Sequence, residues 1–184
     1  MTRFVALLRG VNVGGSRKVG MAALRAALES VGFTGVRTYL QSGNVVFAAE
    51  NGSATVQARA IAACIEREFG FPVDTLVLSC DQLAHIATGN PFLAADPTTD
   101  ERWLHASFLF EPMTAETFGA KALPADEGER ALLGDGAIYL LLPHGVGRSK
   151  LAAGVTRALD TPMTARNWRT VTALADMCRE GAPE

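Results

Sequence analysis

The spacing of apolar residues alternates between strand and helix periods in a fixed order, and that order leaves few folds open to the chain. Phe4-Val5-Ala6-Leu7-Leu8 is a continuous apolar run of strand length, after which Met21, Leu24, Leu28 and Val31 recur at helical spacing until Gly32. Val36–Leu40 and Val45–Ala49 read as strands joined by Gln41-Ser42-Gly43-Asn44, residue types suited to a hairpin turn. From about Ser53, Ile61, Ile65 and Phe69 share one helical face that ends at Gly70, and Val73–Leu78 is again a strand. The order β-α-β-β-α-β is that of a ferredoxin-like unit, an antiparallel sheet covered by helices.

A second cycle follows. Asp81–Gly89 reads as a connecting helix and Asn90–Glu101, with Pro91 and Pro97, as a surface linker. Trp103–Phe110 is a strand, Thr114–Lys121 a short helix, and Glu129–Leu133 with Ala137–Leu142 a hairpin around Gly134-Asp135-Gly136. Ser149–Leu159 is a helix, Met163–Arg166 a short strand, and a C-terminal helix from Trp168 presents Val171, Leu174, Ala175 and Cys178 on one face. The expectation is an α+β protein of two ferredoxin-like subdomains, 1–80 and 103–184, joined by a connector over 81–102, with no sequence identity between the halves.

Charge is distributed unevenly. The net value of −2 conceals six Lys/Arg against one acid in residues 1–49, five against fourteen in 50–136, and six against four in 137–184. No run of about 18 uncharged apolar residues is present to span a bilayer. The apolar start is interrupted by Arg9 before it reaches the length of a secretory core, so a cytoplasmic location and no membrane partner are expected. Cys64, Cys80 and Cys178 are odd in number, widely spaced and without nearby histidines, and are read as buried free thiols.

Two segments of the first half contain more than a connector needs. Arg9-Gly10-Val11-Asn12-Val13-Gly14-Gly15-Ser16-Arg17-Lys18 follows the first strand, and the turn Gln41-Ser42-Gly43-Asn44 lies at the same end of the sheet in this topology. Glycines let backbone N–H groups approach a ligand, and cations beside a helix N-terminus favour an oxyanion. The plainer alternative is a tight turn with solvated cations. In the second half Arg148, Ser149 and Lys150 precede a helix without the spacing of a P-loop, while Arg166, Asn167 and Trp168 should lie at the same end of that unit. Arg166 and Trp168 could hold a phosphate with an attached ring, or else Asn167 caps the last helix and Trp168 anchors it.

Other chemistries find little support. His85, His105 and His144 lack metal-ligand spacing, so no metal and no cofactor are expected. Ser42 and Ser149 lack a Gly-x-Ser-x-Gly elbow, no residue is assigned a catalytic role, and the acids of the middle region read as solvated faces. No RNP-type signature marks RNA binding, and phosphate-only contacts would make weak nucleic-acid binding steeply salt-dependent.

Leu8-Arg9-Gly10-Val11-Asn12-Val13-Gly14-Gly15, Arg37-Thr38-Tyr39-Leu40-Gln41-Ser42-Gly43-Asn44-Val45-Val46-Phe47, Ser149-Lys150-Leu151 and Thr164-Ala165-Arg166-Asn167-Trp168-Arg169-Thr170-Val171 resemble the domain-of-unknown-function 1697 family along nearly the whole chain. The resemblance implies a bacterial α/β protein with two ferredoxin-like halves, and it supplies no activity. It departs at Ser16, where a basic residue is common in the family. The leading expectation is a binder of a small phosphate- or carboxylate-bearing, nucleotide-like ligand through Arg9, Asn12, Gly14, Gly15, Arg17, Lys18, Gln41, Ser42 and Asn44, with Arg148, Lys150, Arg166, Asn167 and Trp168 from the second half. A transferase or hydrolase acting on a nucleotide-like metabolite, and a self-associating interaction module, are the alternatives.

Overall fold

A strand buried along most of its length has no face to give to water, and the structure, a computed structural model describing residues 1–180 apart from Ser16 and Asn51, places such strands, one in each, at the centre of two sheets. Contacts divide the chain into two compact units, Met1–Ala84 together with the chain from Ala173 onward, and His85–Thr172.

In the first unit β1 (Thr2–Leu8) is paired antiparallel with β3 (Asn44–Ala49) on one side and β4 (Thr75–Ser79) on the other, and β2 (Thr34–Tyr39) completes the order β2-β3-β1-β4. The register sets Leu7 opposite Asn44 and Leu76, so residues of alternate parity share a face. Phe4, Ala6, Leu8, Val45 and Phe47 form one core with Leu24 and Leu28 of α1 (Met21–Ser30) and Ile61 and Ile65 of α2 (Ala54–Phe69). Each such fully buried Leu or Ile contributes roughly 1.5–3 kcal/mol. The ends of α2 follow from single residues: the Ser53 side chain accepts a hydrogen bond from the Val56 N–H, and Gly70 adopts the left-handed conformation that terminates the helix.

β4 passes into α3 (Cys80–Thr88) without a loop, because Ser79 and Gln82 cap each other's backbone N–H reciprocally. The next segment, expected as a surface linker, carries α4 (Pro91–Ala95) and a 3-10 turn at Glu101–Trp103. Asn90 and Phe92 are buried, and the Asn90 carboxamide oxygen accepts from the Phe92 N–H at 3.0 Å. Asn-Pro is a cap followed by a first helical residue as well as a turn signal, which accounts for the difference.

The second unit repeats the topology. β5 (Leu104–Leu109) lies between β7 (Ala137–Leu141) and β8 (Met163–Asn167), and β6 (Arg130–Leu133) gives the order β6-β7-β5-β8. Leu109, Ile138, Leu140 and Met163 pack with Leu151 and Val155 of α6 (Lys150–Ala158), and Phe118 of α5 (Ala115–Gly119) joins this core. The Tyr139 hydroxyl donates to the Ile86 carbonyl at 3.0 Å, and its ring lies 6.1 Å from that of Trp168, the first residue of α7 (Trp168–Arg179). Both units are ferredoxin-like, and the protein is α+β as expected.

The cysteines differ from expectation. Cys64 is free and buried, but Cys80 and Cys178 form a disulfide across 98 residues of sequence. No local spacing announces that pair; only folding brings the start of α3 to the end of α7. From the same stretch of α7, Met177 accepts a hydrogen bond through its carbonyl from Arg37 of β2, and Glu180, just beyond the helix, pairs with Arg37 at 3.2 Å. The crosslink sits uneasily with a cytoplasmic location, since thiol pools there keep most cysteines reduced.

Cys178→Ser is expected to lower the unfolding free energy in chemical denaturation by about 2–4 kcal/mol, the usual worth of a long-loop disulfide. Thiol titration of the denatured, unreduced wild type should detect Cys64 alone. Detection of all three cysteines would show that the crosslink does not form.

Candidate functional site

In the first unit the loop after β1 and the turn between β2 and β3 meet, and one side chain ties them. The Asn12 carboxamide donates to the Gln41 carbonyl at 2.7 Å and to the Val19 carbonyl at 2.9 Å, and accepts from the Val19 N–H at 2.9 Å. The Leu8 N–H donates to the Gly43 carbonyl at 2.8 Å. Gly43 has φ +75°, and a Cβ there would stand 2.6 Å from Leu8 Cβ and 2.7 Å from Val11 Cγ2, so this turn accepts only glycine.

Several residues expected to touch a ligand build this junction. Arg9 pairs with Asp74 at 3.1 Å and donates its N–H to the Asp74 carbonyl. Asn44 is buried and donates to the Tyr39 carbonyl and the Ser42 hydroxyl. Gly14, Gly15, Arg17, Lys18, Gln41 and Ser42 are left on the surface. A shallow pocket of about 420 Å³ opens among Asn12, Gly15, Lys18, Val19, Gly20 and Gln41, where α1 begins. No side chain caps that helix start at Gly20, and its first turn contains no acid. Among the described non-glycine residues φ is positive at Asn12, Arg17, Leu40 and Asp160, and the first three belong to these two loops.

In the second unit the helix after the third strand, α6, is the counterpart of α2 rather than of α1, and its start is satisfied from within the protein. Ser149 is buried and its hydroxyl accepts from the Ala152 N–H at 2.9 Å. The buried carboxylate of Glu129 accepts from the backbone N–H groups of Leu151 at 3.2 Å and Asp126 at 2.9 Å. Burial alone would raise its pKa, but hydrogen bonds from Ser149, Asp126 and Leu151 outweigh this and hold the carboxyl below its ordinary range. The N-terminus of α6 is therefore supplied with an anion by the protein itself. Arg148 and Lys150 line a groove of about 570 Å³ with Pro124, Gly154 and Arg157, and Lys150 is paired with Asp126 at 2.7 Å. Arg157 was not singled out in the sequence, although its position seven residues after Lys150 on one helix flank was available as a signal.

The Arg-Asn-Trp segment is not brought into that groove. Arg166 is buried on β8 and donates to the Thr164 hydroxyl at 2.7 Å and the Ala165 carbonyl at 2.8 Å; its desolvation lowers the guanidinium pKa to about 10. Asn167 accepts from the Thr170 N–H and caps α7, and Trp168 is only 1% exposed. The alternative of a cap and a core anchor describes both residues.

Gly43→Ala should destabilise the first unit by about 2–4 kcal/mol through left-handed strain and overpacking, read by chemical denaturation. Glu129→Gln should cost the second unit about 1.5–3 kcal/mol near neutral pH, the worth of hydrogen bonds to a charged group. Because the folded carboxyl titrates below the ordinary value of 4.5, its contribution is full above that value and is lost as pH falls through the folded pKa. The difference between wild type and variant should therefore shrink in acid, and a pH-independent difference would refute the assignment.

A search of curated proteins finds no match. Among solved structures the chain is similar to a conserved bacterial protein from Streptococcus pneumoniae, at 22% identity and a TM-score of 0.76, over 96% of this chain and 98% of that one. At that identity the likeness speaks for the fold. The family model described as protein of unknown function (DUF1697) matches residues 1–139, which include both loops joined by Asn12. The chain belongs to the DUF1697 family of proteins of unknown function.

Proposed function

We propose that the first unit binds a small anion, a phosphate or carboxylate group of a nucleotide-like metabolite, in the pocket where α1 begins. The observation supporting this most directly is the pocket lining: Lys18 and Gln41 face it beside glycine backbone, and no acid lines it. The electrostatic contrast with α6, whose start is taken by Glu129, favours this site over the groove of the second unit. In this reading Arg9, Asn12, Gly43 and Asn44 hold the loops in place and Lys18 supplies the charge. The polar side chains of the lining are one lysine and two carboxamides, a set suited to holding an anion.

Titration of ¹⁵N-labelled protein with inorganic phosphate and tripolyphosphate tests it. Amide shifts should concentrate at residues 14, 15, 18–20 and 41, and Lys18→Ala should weaken binding about tenfold, the worth of one charge-assisted contact. Arg148→Ala should change nothing at these amides. Equal affinity in wild type and Lys18→Ala, or shifts confined to the second unit, would remove the reading.

A further inference from the structure

Each of the two loops joined by Asn12 also displays a large exposed apolar side chain. Val13 follows Asn12 and is 67% exposed; Leu40 precedes Gln41 and is 56% exposed. The hydrogen bond from Asn12 to the Gln41 carbonyl, at 2.7 Å, joins the chain neighbours of the two positions and holds both loops at one end of the sheet. Leu40 is doubly unfavourable where it stands. Its φ is +57°, a region that Asn or Gly adopts at lower cost, and its side chain faces water. Strain of this kind persists where the surrounding structure holds it, and such positions cluster at functional sites.

The surroundings are cationic. Arg17 and Lys18 are exposed on the same loop as Val13, and among the described residues neither takes part in a salt bridge. Asp74, the acid that meets this loop, is engaged by Arg9. The cations on this loop, Arg9, Arg17 and Lys18, thus outnumber the one acid that meets it. Apolar tips flanked by cations suit an anionic bilayer surface: the tips enter the headgroup boundary and the cations meet lipid phosphates. No helix of the described residues is long and apolar enough to cross a membrane, but contact with a surface requires no span.

We infer that this end of the first unit docks on anionic lipid bilayers, with Val13 and Leu40 inserted and Arg17 and Lys18 against the phosphates. The inference extends the anion-binding reading from the pocket to the surface around it, and rests on that reading only for the part played by Lys18. Two sources of phosphate are thereby distinguished, a lipid headgroup at the tips and a free anion in the pocket.

The test is cosedimentation with vesicles of phosphatidylcholine alone and of phosphatidylcholine mixed with phosphatidylglycerol, at low and physiological salt. Wild type should pellet with the mixed vesicles, less so as salt rises, and should stay in solution with phosphatidylcholine alone. Arg17→Ala and Lys18→Ala should each reduce binding about fivefold. The double variant Val13→Ser/Leu40→Asn should reduce it about tenfold, while melting at or above the wild-type temperature because Asn tolerates the left-handed backbone. The same variant should still show the tripolyphosphate shifts of the pocket. Binding that ignores phosphatidylglycerol, binding unchanged in the double variant, or no binding at all would overturn the inference, with the pocket reading left to its own titration. Self-association of the vesicle-free protein that disappears in the double variant would also overturn it, by assigning the tips to a second copy of the chain.

Discussion

Burial of β1 on both faces and both edges is the constraint from which the first unit follows. Val5, Ala6, Leu7 and Leu8 are all withdrawn from water, so the strand needs partners for its N–H and C=O groups on either side and apolar cover for both of its surfaces. β3 and β4 supply the hydrogen bonds, and α1 and α2 supply the cover for the face that carries Phe4, Ala6 and Leu8. Once β1 is central, the loop at its C-terminal end must return over the sheet toward α1, and the turn that begins β3 lies beside it. Asn12 and Gly43 then join what topology has already made adjacent, through hydrogen bonds that leave little room for variation.

Two helix starts, α1 after the first strand of one unit and α6 after the third strand of the other, carry different electrostatics. At both, unpaired N–H groups favour negative charge. At α6 a buried glutamate answers this from within the fold, and its hydrogen bonds make the charged form the stable one. At α1 no side chain caps the start, and a lysine lines the pocket beside it. A helix start satisfied from within the fold has no room for an outside anion, and one left uncapped does.

The order of strands and helices was legible because apolar periodicity states it directly, and both sheets have the order that this periodicity implies. The convergence of the two loops was legible too, since it follows from topology alone. Side-chain assignments within the loops were less so. Arg9, Asn12 and Asn44 are the residue types that contact anions, and the same hydrogen-bonding capacity that suggested a ligand is used by Asp74, Val19, Gln41 and Tyr39. Composition cannot distinguish an amide facing a ligand from one facing a carbonyl. Nor could spacing pair Cys80 with Cys178, or show that Asn90 and Phe92 turn inward in a segment that reads as polar.

The crosslink between α3 and α7 also determines how the chain transmits tension. β1 precedes Cys80 and Arg179 follows Cys178, so the chain on either side of the bridged stretch belongs to the first unit. A pull applied between these two sides passes from the sheet through the sulfur bridge and bypasses everything between Cys80 and Cys178. The whole of the second unit is a side loop on the load path, mechanically silent while the bridge is closed and drawn into line when it opens. Cleavage of its backbone at any surface loop would likewise leave one covalent molecule, because the bridge holds both fragments to the same sheet.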